Sequence, residues 1–299
     1  MFDTVPQLDC AGRILRLDRP QVMGIVNVTP DSFSDGGAHD TTDAAVAHAL
    51  RLVEEGADVL DIGGESTRPG AAEVEVEEEL RRVVPVIERL AAQVAVPISI
   101  DTSKPEVMRA AVQAGAGMIN DVCGLRREGA LDAAAALGVP VVLMHMQGEP
   151  RSMQAAPQYD DVVGEVHRFL AERIFAAEMA GIAKQRIVVD PGFGFGKDTA
   201  HNLQLLAQFE RFIELGVPVL AGLSRKRSIG ELTGRDVPAD RVAGSVAAHL
   251  IAAQRGAAIV RVHDVAATVD ALKVWNAVAA VPTPRKAAAT PAIRWPDDD

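Results

Sequence analysis

The sequence has few of the residues on which several protein classes depend. Cysteine occurs only twice in 299 residues, and neither Cys10 nor Cys123 lies in a CxxC pair or beside a pair of histidines. Two cysteines are too few for a disulfide framework, and isolated ones do not predict a metal site. Both are therefore expected to be reduced thiols. Aromatic residues make up only 4% of the chain, so few rings are present on which nucleic-acid bases could stack.

Positive charge and long apolar runs are also lacking. The chain has 30 Lys and Arg against 41 Asp and Glu, and its net charge is −11. No basic footprint for nucleic acid is visible in this balance, and an acidic protein repels anionic lipid surfaces. No apolar run reaches the roughly 18 residues of a membrane span. The first residues, Met1 to Pro6, lack the features of a signal peptide. We therefore expect a cytoplasmic protein with no nucleic-acid or membrane partner.

The chain does contain a repeated alternation of short apolar runs and longer segments with helical spacing. The eight runs are rich in Val and Ile and apolar on both faces, as in parallel strands covered on both sides. They are Val22–Val28, Val59–Ile62, Ile98–Ile100, Met118–Ile119, Val141–Met144, Ile187–Val189, Pro218–Leu220 and Ile259–Val262. Helical spacing is seen, for example, at Val46, Leu50 and Val53, and at Val163, Val166 and Leu170. Glycine closes several of these helices, a preference of the residue after a helix: Gly56, Gly115, Gly138, Gly181, Gly216 and Gly256.

Eight strand–helix units predict an α/β fold, a (β/α)8 TIM barrel. An open doubly wound sheet is the rival, but it usually has fewer strands, and no GxGxxG motif follows the first strand here. Residues 7–17 predict a small hairpin, turning at Ala11-Gly12, that plugs the amino-terminal mouth of the barrel. We thus expect a hairpin segment at 1–20, one barrel at 21–281 and a mobile, proline-rich tail at 282–299.

Polar residues stand where nearly every predicted strand ends, the edge at which such barrels carry their active sites. They include Asn27, Asp61, Asp101, Asn120-Asp121, His145, Asp190, Ser224-Arg225-Lys226 and Arg261-Val262-His263-Asp264. A single carboxylate at a strand end is often a helix N-cap, and near Asp101 either Thr102 or Ser103 is a further candidate. A ring of carboxylates and amides instead favours a polar pocket. Because carboxylates accept paired N–H groups, and Asn both donates and accepts, the pocket suits a flat nitrogen heterocycle.

Cationic residues form a second group at the strand ends: Arg68, Lys226, Arg261 and His263. In an acidic chain they indicate an anion site, although surface ion pairing is the alternative for any one of them. The Ser224-Arg225-Lys226 segment is predicted to open a helix, whose N–H groups would add to the attraction. The loops at 29–37 and 63–70 are long and glycine-rich, as in loops that close over a ligand. The glycines of 190–197 only weakly suggest a phosphate loop, because the order GxxxxGK[ST] is missing.

Two of these loops resemble the signatures of the dihydropteroate synthase family. Met23 to Gly37, MGIVNVTPDSFSDGG, is similar to the first signature, and Asp61 to Gly70, DIGGESTRPG, to the second. Later family segments follow in the same order at His145–Gly148, Asp190–Lys197, Ser224–Lys226 and Arg261–Asp264. The resemblance extends from about Val22 to Val278. It implies condensation of 6-hydroxymethyl-7,8-dihydropterin diphosphate with p-aminobenzoate, which releases diphosphate in folate synthesis and is the sulfonamide-sensitive step.

The resemblance also implies roles for individual residues. The pterin ring would be held by Asp101, Asn120, Asp190 and Lys226, with Met144 against its face. The diphosphate would be bound by Arg68, Arg261 and His263, and Asn27 would ligate a Mg²⁺ that the diphosphate shares. The p-aminobenzoate site would comprise Phe33, Thr67, Pro69, Lys226 and Arg227, with Asp35 supporting the closed loop. Many family members have Ser at the position of Arg227, which either contacts the aminobenzoate carboxylate or faces solvent.

The implied mechanism is dissociative: the bond to diphosphate breaks first, and the aniline attacks a pterin-stabilised cation without a covalent enzyme intermediate. A homodimer is expected, since the family often pairs late barrel helices and the Ala-rich segment Val242–Ala253 allows close packing. Three alternatives remain. A methyltetrahydrofolate methyltransferase shares the pterin-facing residues but needs no diphosphate cations. A non-catalytic pterin-binding paralogue would lack the loop motifs, and a purely structural barrel would use its strand-end residues as caps.

Overall fold

The structure is a computed structural model, which describes residues 5–29, 38–66, 73–148 and 157–281. The strands are β1 Gln7–Cys10, β2 Arg13–Arg16, β3 Gln21–Asn27, β4 Val59–Gly63, β5 Ile98–Asp101, β6 Met118–Asp121, β7 Val141–Met144, β8 Ile187–Asp190, β9 Leu220–Ala221 and β10 Ile259–Val262. The α-helices are α1 Ala38–Glu54, α2 Val76–Ala91, α3 Pro105–Ala114, α4 Ala130–Leu137, α5 Val162–Met179, α6 Thr199–Ala207, α7 Glu210–Ile213, α8 Arg227–Thr233, α9 Val242–Gln254 and α10 Val265–Ala279. Short 3₁₀ turns at Lys184–Arg186 and Pro238–Arg241 precede β8 and α9. The tail predicted for 282–299 lies outside the described residues.

Strands β3 to β10 form one parallel sheet that closes on itself. The strand order is β8-β7-β6-β5-β4-β3-β10-β9, and a parallel bridge between Val189 and Val219 joins the two ends. The Val189 N–H donates to the Pro218 carbonyl at 3.0 Å across this seam. The prediction of a closed barrel, rather than an open doubly wound sheet, is therefore confirmed. The seventh barrel strand is regular only at Leu220–Ala221, because Pro218 has no N–H to contribute to a ladder.

The helices bury one face each against the outside of the barrel. In α2 the buried residues Val83, Val86, Ile87 and Leu90 recur at the spacing of one helix face. The glycines predicted to close helices all have positive φ, the conformation in which glycine is favoured after a helix; Gly115 after α3 has φ 116°. None of the helices in the described ranges is long and apolar enough to cross a membrane.

The amino-terminal hairpin, β1 and β2, covers the bottom of the barrel as predicted. Its turn residues Ala11 and Gly12 have φ 54° and 88°, values typical of a tight two-residue hairpin turn. Leu8, Cys10 and Leu15 are buried against the first inward-facing side chains of the barrel strands. Those side chains are Met23, Val59, Met118, Val142, Val188, Leu220 and Ile259. The interior of the barrel is consequently apolar at this end.

Candidate active site

The alternation of side chains along each strand places polar groups inside the barrel, above the apolar layer. Side chains two residues apart in a strand point to the same face. Two positions beyond each inward-facing apolar residue therefore lies another inward-facing residue. From Val59, Met118, Val188 and Ile259 this rule leads to Asp61, Asn120, Asp190 and Arg261, and from Val142 it leads to Met144. In β5 it is Ser99 and Asp101 that face inward, beside Asp61 and Asn120 in the register.

Arg261 is the centre of this polar layer. Its Nε donates to Asp61 Oδ2 at 2.6 Å, and its Nη2 donates to Asp101 Oδ2 at 2.6 Å. Asn120 Nδ2 also donates to Asp61 Oδ2, at 3.0 Å. The Asp61 side chain is fully buried, whereas that of Arg261 is 20% exposed. The guanidinium of Arg261, on β10, thus bridges carboxylates on β4 and β5. Strand β3 lies between β10 and β4 in the sheet.

Burial and mutual charge shift the protonation of these groups. Burial raises the pKa of Asp101 to about 7, and the neighbouring Asp61 carboxylate adds to the rise against the opposing charge of Arg261. Burial likewise raises the pKa of Asp190, while the Gly192 N–H and the Lys226 ammonium oppose the rise. For Arg261, burial acts to lower the pKa, but the charges of Asp61 and Asp101 outweigh it and the pKa lies above its ordinary value. Within this layer the protonation of each group therefore depends on the charges of its neighbours.

Lys226 reaches the same layer from the loop between β9 and α8. Its Nζ lies 4.1 Å from the centre of the Phe195 ring, within the range of a cation–π contact. Burial and the charge of Arg261 lower the pKa of Lys226 to about 8, despite the nearby carboxylate of Asp190. Lys226 is the residue before α8, so the predicted helix opening at this segment is confirmed. Among the residues that the structure describes, the Lys226 ammonium contacts an aromatic face and has carboxylates nearby but forms no direct ion pair.

The loop that carries Lys226 is held in a left-handed bend. Arg225 has φ 56°, and its guanidinium makes two bonds to the Asp264 carboxylate, at 2.6 and 3.0 Å. Arg241 donates to the carbonyls of Arg225 and Lys226, at 3.0 and 3.4 Å. Asp264 and Arg225 therefore bind each other rather than a ligand. Arg225 was not among the four cations assigned to the anion site.

The two other polar residues predicted at this end stand at the rim. Asn27 ends β3 and is half-buried. His263 follows β10, and both its backbone N–H and its Nδ1 lie within hydrogen-bond distance of Ser224 Oγ, at 3.1 and 3.0 Å. The Ser224 hydroxyl thus fixes the orientation of the His263 ring. In the described residues no group of three or more His, Cys, Asp or Glu is arranged to hold a metal ion.

Some strand-end carboxylates do not belong to the pocket. Asp121 points out of the barrel and accepts the N–H groups of Cys123 and Leu125, at 2.7 and 2.8 Å, which shapes the turn after β6. Burial raises the pKa of Asp121 to about 6. Before α3 no side chain caps the helix; the Thr102 hydroxyl accepts the Lys104 N–H at 3.2 Å instead. Asp101 is thereby free to face Arg261.

Loop 63–70 is held at its start by a buried ion network. Lys104 is buried and donates through Nζ to both Glu65 and Glu79. Arg82 donates to the Gly64 carbonyl at 2.8 Å. The described start of the loop, through Glu65, is therefore anchored to α2 and to the residue before α3. Neither Lys104 nor Glu79 was assigned a role from the sequence, although the spacing of Glu79 to Val83 already places Glu79 on the buried face of α2.

The structure thus brings together six of the predicted site residues in or beside the polar layer: Asp101, Asn120, Met144, Asp190, Lys226 and Arg261. Arg227 differs: its side chain is 83% exposed and pairs with Glu231 at 2.6 Å, one turn along α8. Five further predictions fall outside the described residues: Phe33, Asp35, Thr67, Arg68 and Pro69. The buried member not assigned a role from the sequence is Asp61. Its signal was the period-two pattern Val59, Asp61, Gly63 along one strand.

The closed parallel barrel, with carboxylates, an amide and two cations facing into its carboxyl end, defines a TIM-barrel enzyme with a polar small-molecule site. The model of the pterin-binding enzyme family matches residues 23–263. The chain is 54% identical over 271 residues to the dihydropteroate synthase of Escherichia coli (strain K12), covering 91% of this chain and 96% of that one. It belongs to the dihydropteroate synthase family of pterin-binding enzymes.

Solved structures of related enzymes agree in fold. A structure of Xanthomonas albilineans dihydropteroate synthase with 4-aminobenzoic acid superposes with a TM-score of 0.90 at 77% identity. A second structure of that enzyme, in complex with 7,8-dihydropteroate, has a TM-score of 0.86 at 75% identity. Both comparisons cover 93% of this chain and the whole of the other chain. The barrel fold is thus shared with an enzyme whose structures were solved with 4-aminobenzoic acid and with 7,8-dihydropteroate.

Proposed function

We propose that this chain condenses 6-hydroxymethyl-7,8-dihydropterin diphosphate with p-aminobenzoate, yielding 7,8-dihydropteroate and diphosphate. The observation that carries the proposal is the layer in which Asp101, Asn120 and Asp190 face one another beside Lys226 and Arg261. Family membership and the ligands named for the Xanthomonas albilineans structures support the same reaction.

The pterin is assigned to the inward-facing acids and amide. A pterin presents ring N–H and amino groups on one edge, which match the acceptor oxygens of Asp101 and Asp190, while Asn120 offers a donor and an acceptor. Met144 is buried at the end of β7, in an apolar cluster with Phe195, and offers a flat apolar contact for the ring face. Negative carboxylates also favour the positive charge that develops on the pterin as its bond to diphosphate breaks.

The diphosphate is assigned to the cationic rim. Arg261 and His263 lie on and just after β10, on the same side of the barrel as Lys226, and Arg68 is assigned here from the family pattern. Arg261 is paired with Asp61 and Asp101, so its guanidinium is held at the boundary between the pterin carboxylates and the rim. Positive groups placed where the leaving group gathers charge lower the barrier to its departure.

The Mg²⁺ implied by the family is compatible with the residues at this end. Asn27 supplies one oxygen ligand, and the described residues hold no cluster of three acidic or imidazole ligands. Such a sparse donor set fits Mg²⁺, which keeps waters and takes most other ligands from phosphate oxygens. When bound there, the ion would neutralise diphosphate charge. Asn27 would fix its position.

For p-aminobenzoate we retain Phe33, Thr67, Pro69, Lys226 and Arg227, with Asp35 in support of loop closure. Lys226 has the structural argument: its ammonium lies over the Phe195 ring at the edge of the pterin layer, where a second substrate would meet the first. Arg227 follows it but pairs with Glu231, so its share in binding a carboxylate requires that this exposed pair open. An exposed pair of this kind costs little to break.

We further propose that the chain forms a homodimer through α9. Ala243, Ala247 and Ile251 recur every four residues on its exposed face, where the two alanines allow close approach and Ile251 is 41% exposed. Sedimentation equilibrium tests the oligomeric state directly. Replacement of Ile251 by Asp is expected to shift the mass toward that of one chain, whereas an unchanged mass would place any interface elsewhere.

The proposed reaction is tested by a diphosphate-release assay with the pterin diphosphate, p-aminobenzoate and Mg²⁺. We expect release that depends on p-aminobenzoate and formation of dihydropteroate in equal amount. Release without aminobenzoate dependence, or no release, would contradict the proposal. Transfer of a methyl group from methyltetrahydrofolate, assayed in parallel, would instead favour the methyltransferase alternative.

A further inference from the structure

Two motifs of the sequence, His145–Gly148 and Asp190–Lys197, meet at a buried lysine that the proposed reaction does not use. Lys197 is 2% exposed and His145 is 6% exposed. The Lys197 Nζ lies 2.8 Å from His145 Nδ1. It also donates to the carbonyls of Gly192 and Phe195, at 2.9 and 3.0 Å. Its three acceptors therefore come from the loop after β7 and the loop after β8.

The chemistry of this contact is defined by the donors. Burial lowers the pKa of Lys197 to about 7. In its protonated form the lysine only donates, so the Nδ1 of His145 then accepts and the neutral ring carries its proton on Nε2. Burial and the charge of Lys197 lower the pKa of His145 to about 2, in agreement with a neutral ring. No carboxylate within the described ranges forms an ion pair with Lys197. Burying an ammonium among neutral acceptors is costly, and apolar packing does not explain why Lys197 is buried here.

The two loops are in close backbone contact around this lysine. The His145 N–H donates to the Asp190 carbonyl at 3.0 Å. A Cβ on Gly192, whose φ is 71°, would lie 1.8 Å from the His145 carbonyl oxygen, and one on Gly196 would lie 2.5 Å from the Gln147 carbonyl oxygen. Only glycine fits at both positions. The glycines therefore let the loop after β8 pack onto the loop after β7, and Lys197 ties the two together.

What this junction supports is the pterin layer. The Gly192 N–H donates to Asp190 Oδ1 at 2.7 Å, so the residue whose carbonyl Lys197 holds also orients that carboxylate. Phe195, the second carbonyl partner, carries the ring over which the Lys226 ammonium lies. On the other loop, His145 follows Met144 directly. Each partner of this buried ammonium is thus one residue or one contact away from a predicted pterin-binding side chain: Asp190, Lys226 or Met144.

We propose that Lys197 and His145 are positioning residues, which hold the loops after β7 and β8 together and thereby place Met144, Asp190 and, through the Phe195 ring, Lys226 for pterin binding. The inference rests on the proposed function, because it concerns the pterin site of that reaction. It assigns no contact with substrate to either residue. Removal of the Lys197–His145 contact is expected to weaken the binding of pterin more than it affects the fold.

The test compares Lys197→Met, His145→Leu and His145→Asn with the surface variant Lys184→Met as the matched control. Asn keeps an acceptor near the position of Nδ1, whereas Leu removes it. The readouts are the affinity for 6-hydroxymethylpterin by calorimetry, the KM and kcat for the pterin diphosphate, and the midpoint of thermal unfolding. Calorimetry needs no turnover, so it separates a failed inference from a failed reaction assignment.

We expect Lys197→Met and His145→Leu to weaken pterin affinity by roughly ten- to a hundredfold, the scale of a displacement of about 1 Å in a positioned group. His145→Asn and Lys184→Met should stay within about threefold of the unmodified chain, on the same scale. Wild-type pterin affinity in folded Lys197→Met would overturn the inference, as would equal losses in His145→Asn and His145→Leu. If Lys197→Met does not fold, the two His145 variants decide. Pterin binding without diphosphate release would overturn the proposed function alone.

Discussion

The replacement Asp61→Asn tests the central contact of the polar layer. Asp61 is fully buried and accepts from Arg261 at 2.6 Å and from Asn120 at 3.0 Å. Asparagine has the same shape and can still accept both bonds through its carbonyl oxygen. The substitution therefore removes the negative charge and leaves the packing nearly unchanged. Arg261 keeps Asp101 as its remaining charged partner.

The size of the effect follows from two opposing terms. Opposite unit charges about 4 Å apart attract by about 4 kcal/mol at an effective dielectric constant of about 20. Much of this is offset because the buried carboxylate no longer has to lose its hydration. A net loss of about 2 kcal/mol in the free energy of unfolding is the expected scale for one hydrogen bond between charged groups. In a chain of this size that corresponds to a midpoint lower by about 4 to 8 °C.

Catalysis should suffer more than stability. Arg261 is held from two sides, and with one charge removed its guanidinium is expected to shift toward Asp101. A displacement of about 1 Å in a positioning group costs on the order of a hundredfold in rate. We expect kcat/KM for the pterin diphosphate to fall by about that factor in the diphosphate-release assay, with thermal unfolding followed by circular dichroism.

The same variant should also move the pH profile. Burial raises the pKa of Asp101 to about 7, and the Asp61 charge contributes to that rise. If pterin binding needs the Asp101 carboxylate, activity in the unmodified chain falls as pH drops through about 7. Without the Asp61 charge the pKa of Asp101 should be lower. The acid limb of the profile is then expected to shift to lower pH.

Asp58→Asn is the matched control. Asp58 makes a two-pronged pair with Arg19, at 2.6 and 3.0 Å, but at the opposite end of the barrel, where it also accepts the Val22 N–H. This variant should lose some stability and keep unchanged kinetics. Wild-type kcat/KM in Asp61→Asn, or an equal kinetic loss in Asp58→Asn, would refute the role given to the Asp61–Arg261 contact.

Four further outcomes are expected. Asp101→Asn should weaken both pterin affinity and turnover, measured by calorimetry and diphosphate release; wild-type kinetics would remove Asp101 from the site. Arg227→Ala should raise the KM for p-aminobenzoate by about tenfold or less, the scale of one charge-assisted hydrogen bond, and an unchanged KM would place Arg227 outside the site. His249 accepts the Leu223 N–H, and burial lowers its pKa to about 4, so its neutral form stabilises the fold above pH 6.5 and that stability is lost as pH falls toward 4. Between pH 6.5 and pH 4 the free energy of unfolding, measured with urea, should fall by up to about 3 kcal/mol less in His249→Gln than in the unmodified chain. Equal decreases in the two proteins would refute this. Chelation of Mg²⁺ should abolish diphosphate release and Mg²⁺ should restore it, whereas full activity in excess chelator would count against the ion.

Much of the fold could be predicted from the sequence because its signals are local. Most barrel strands are short Val- and Ile-rich runs, and several helices close at a glycine such as Gly115 or Gly256, whose positive φ the structure confirms. The hairpin was predictable for the same reason, since Ala11-Gly12 lies between two alternating runs. Strand β9 is the exception, because it is regular over two residues only. Pro218 has no N–H to donate to a neighbouring strand, and which strand that is depends on the fold.

The site was predictable in kind but not in its contacts. The strand-end positions of Asp101, Asn120 and Asp190 place them at one mouth, because parallel strands share a carboxyl edge. Chain order does not say which strand-end carboxylates face inward: Asp121 shapes a turn, and Asp61 lies at the centre. That distinction depends on the phase of the period-two alternation, and a shift of one residue reverses it.

The strand and helix segments, the hairpin and the polar residue types at one edge can thus be read from the chain, because their signals lie between near neighbours. The pairing of Arg261 with Asp61 and Asp101, 200 and 160 residues away, and the contact of Lys197 with His145, 52 residues away, follow only from the folded arrangement. Closure of the barrel sets these distances. Buried charges must then find partners among whatever side chains the closure brings within reach.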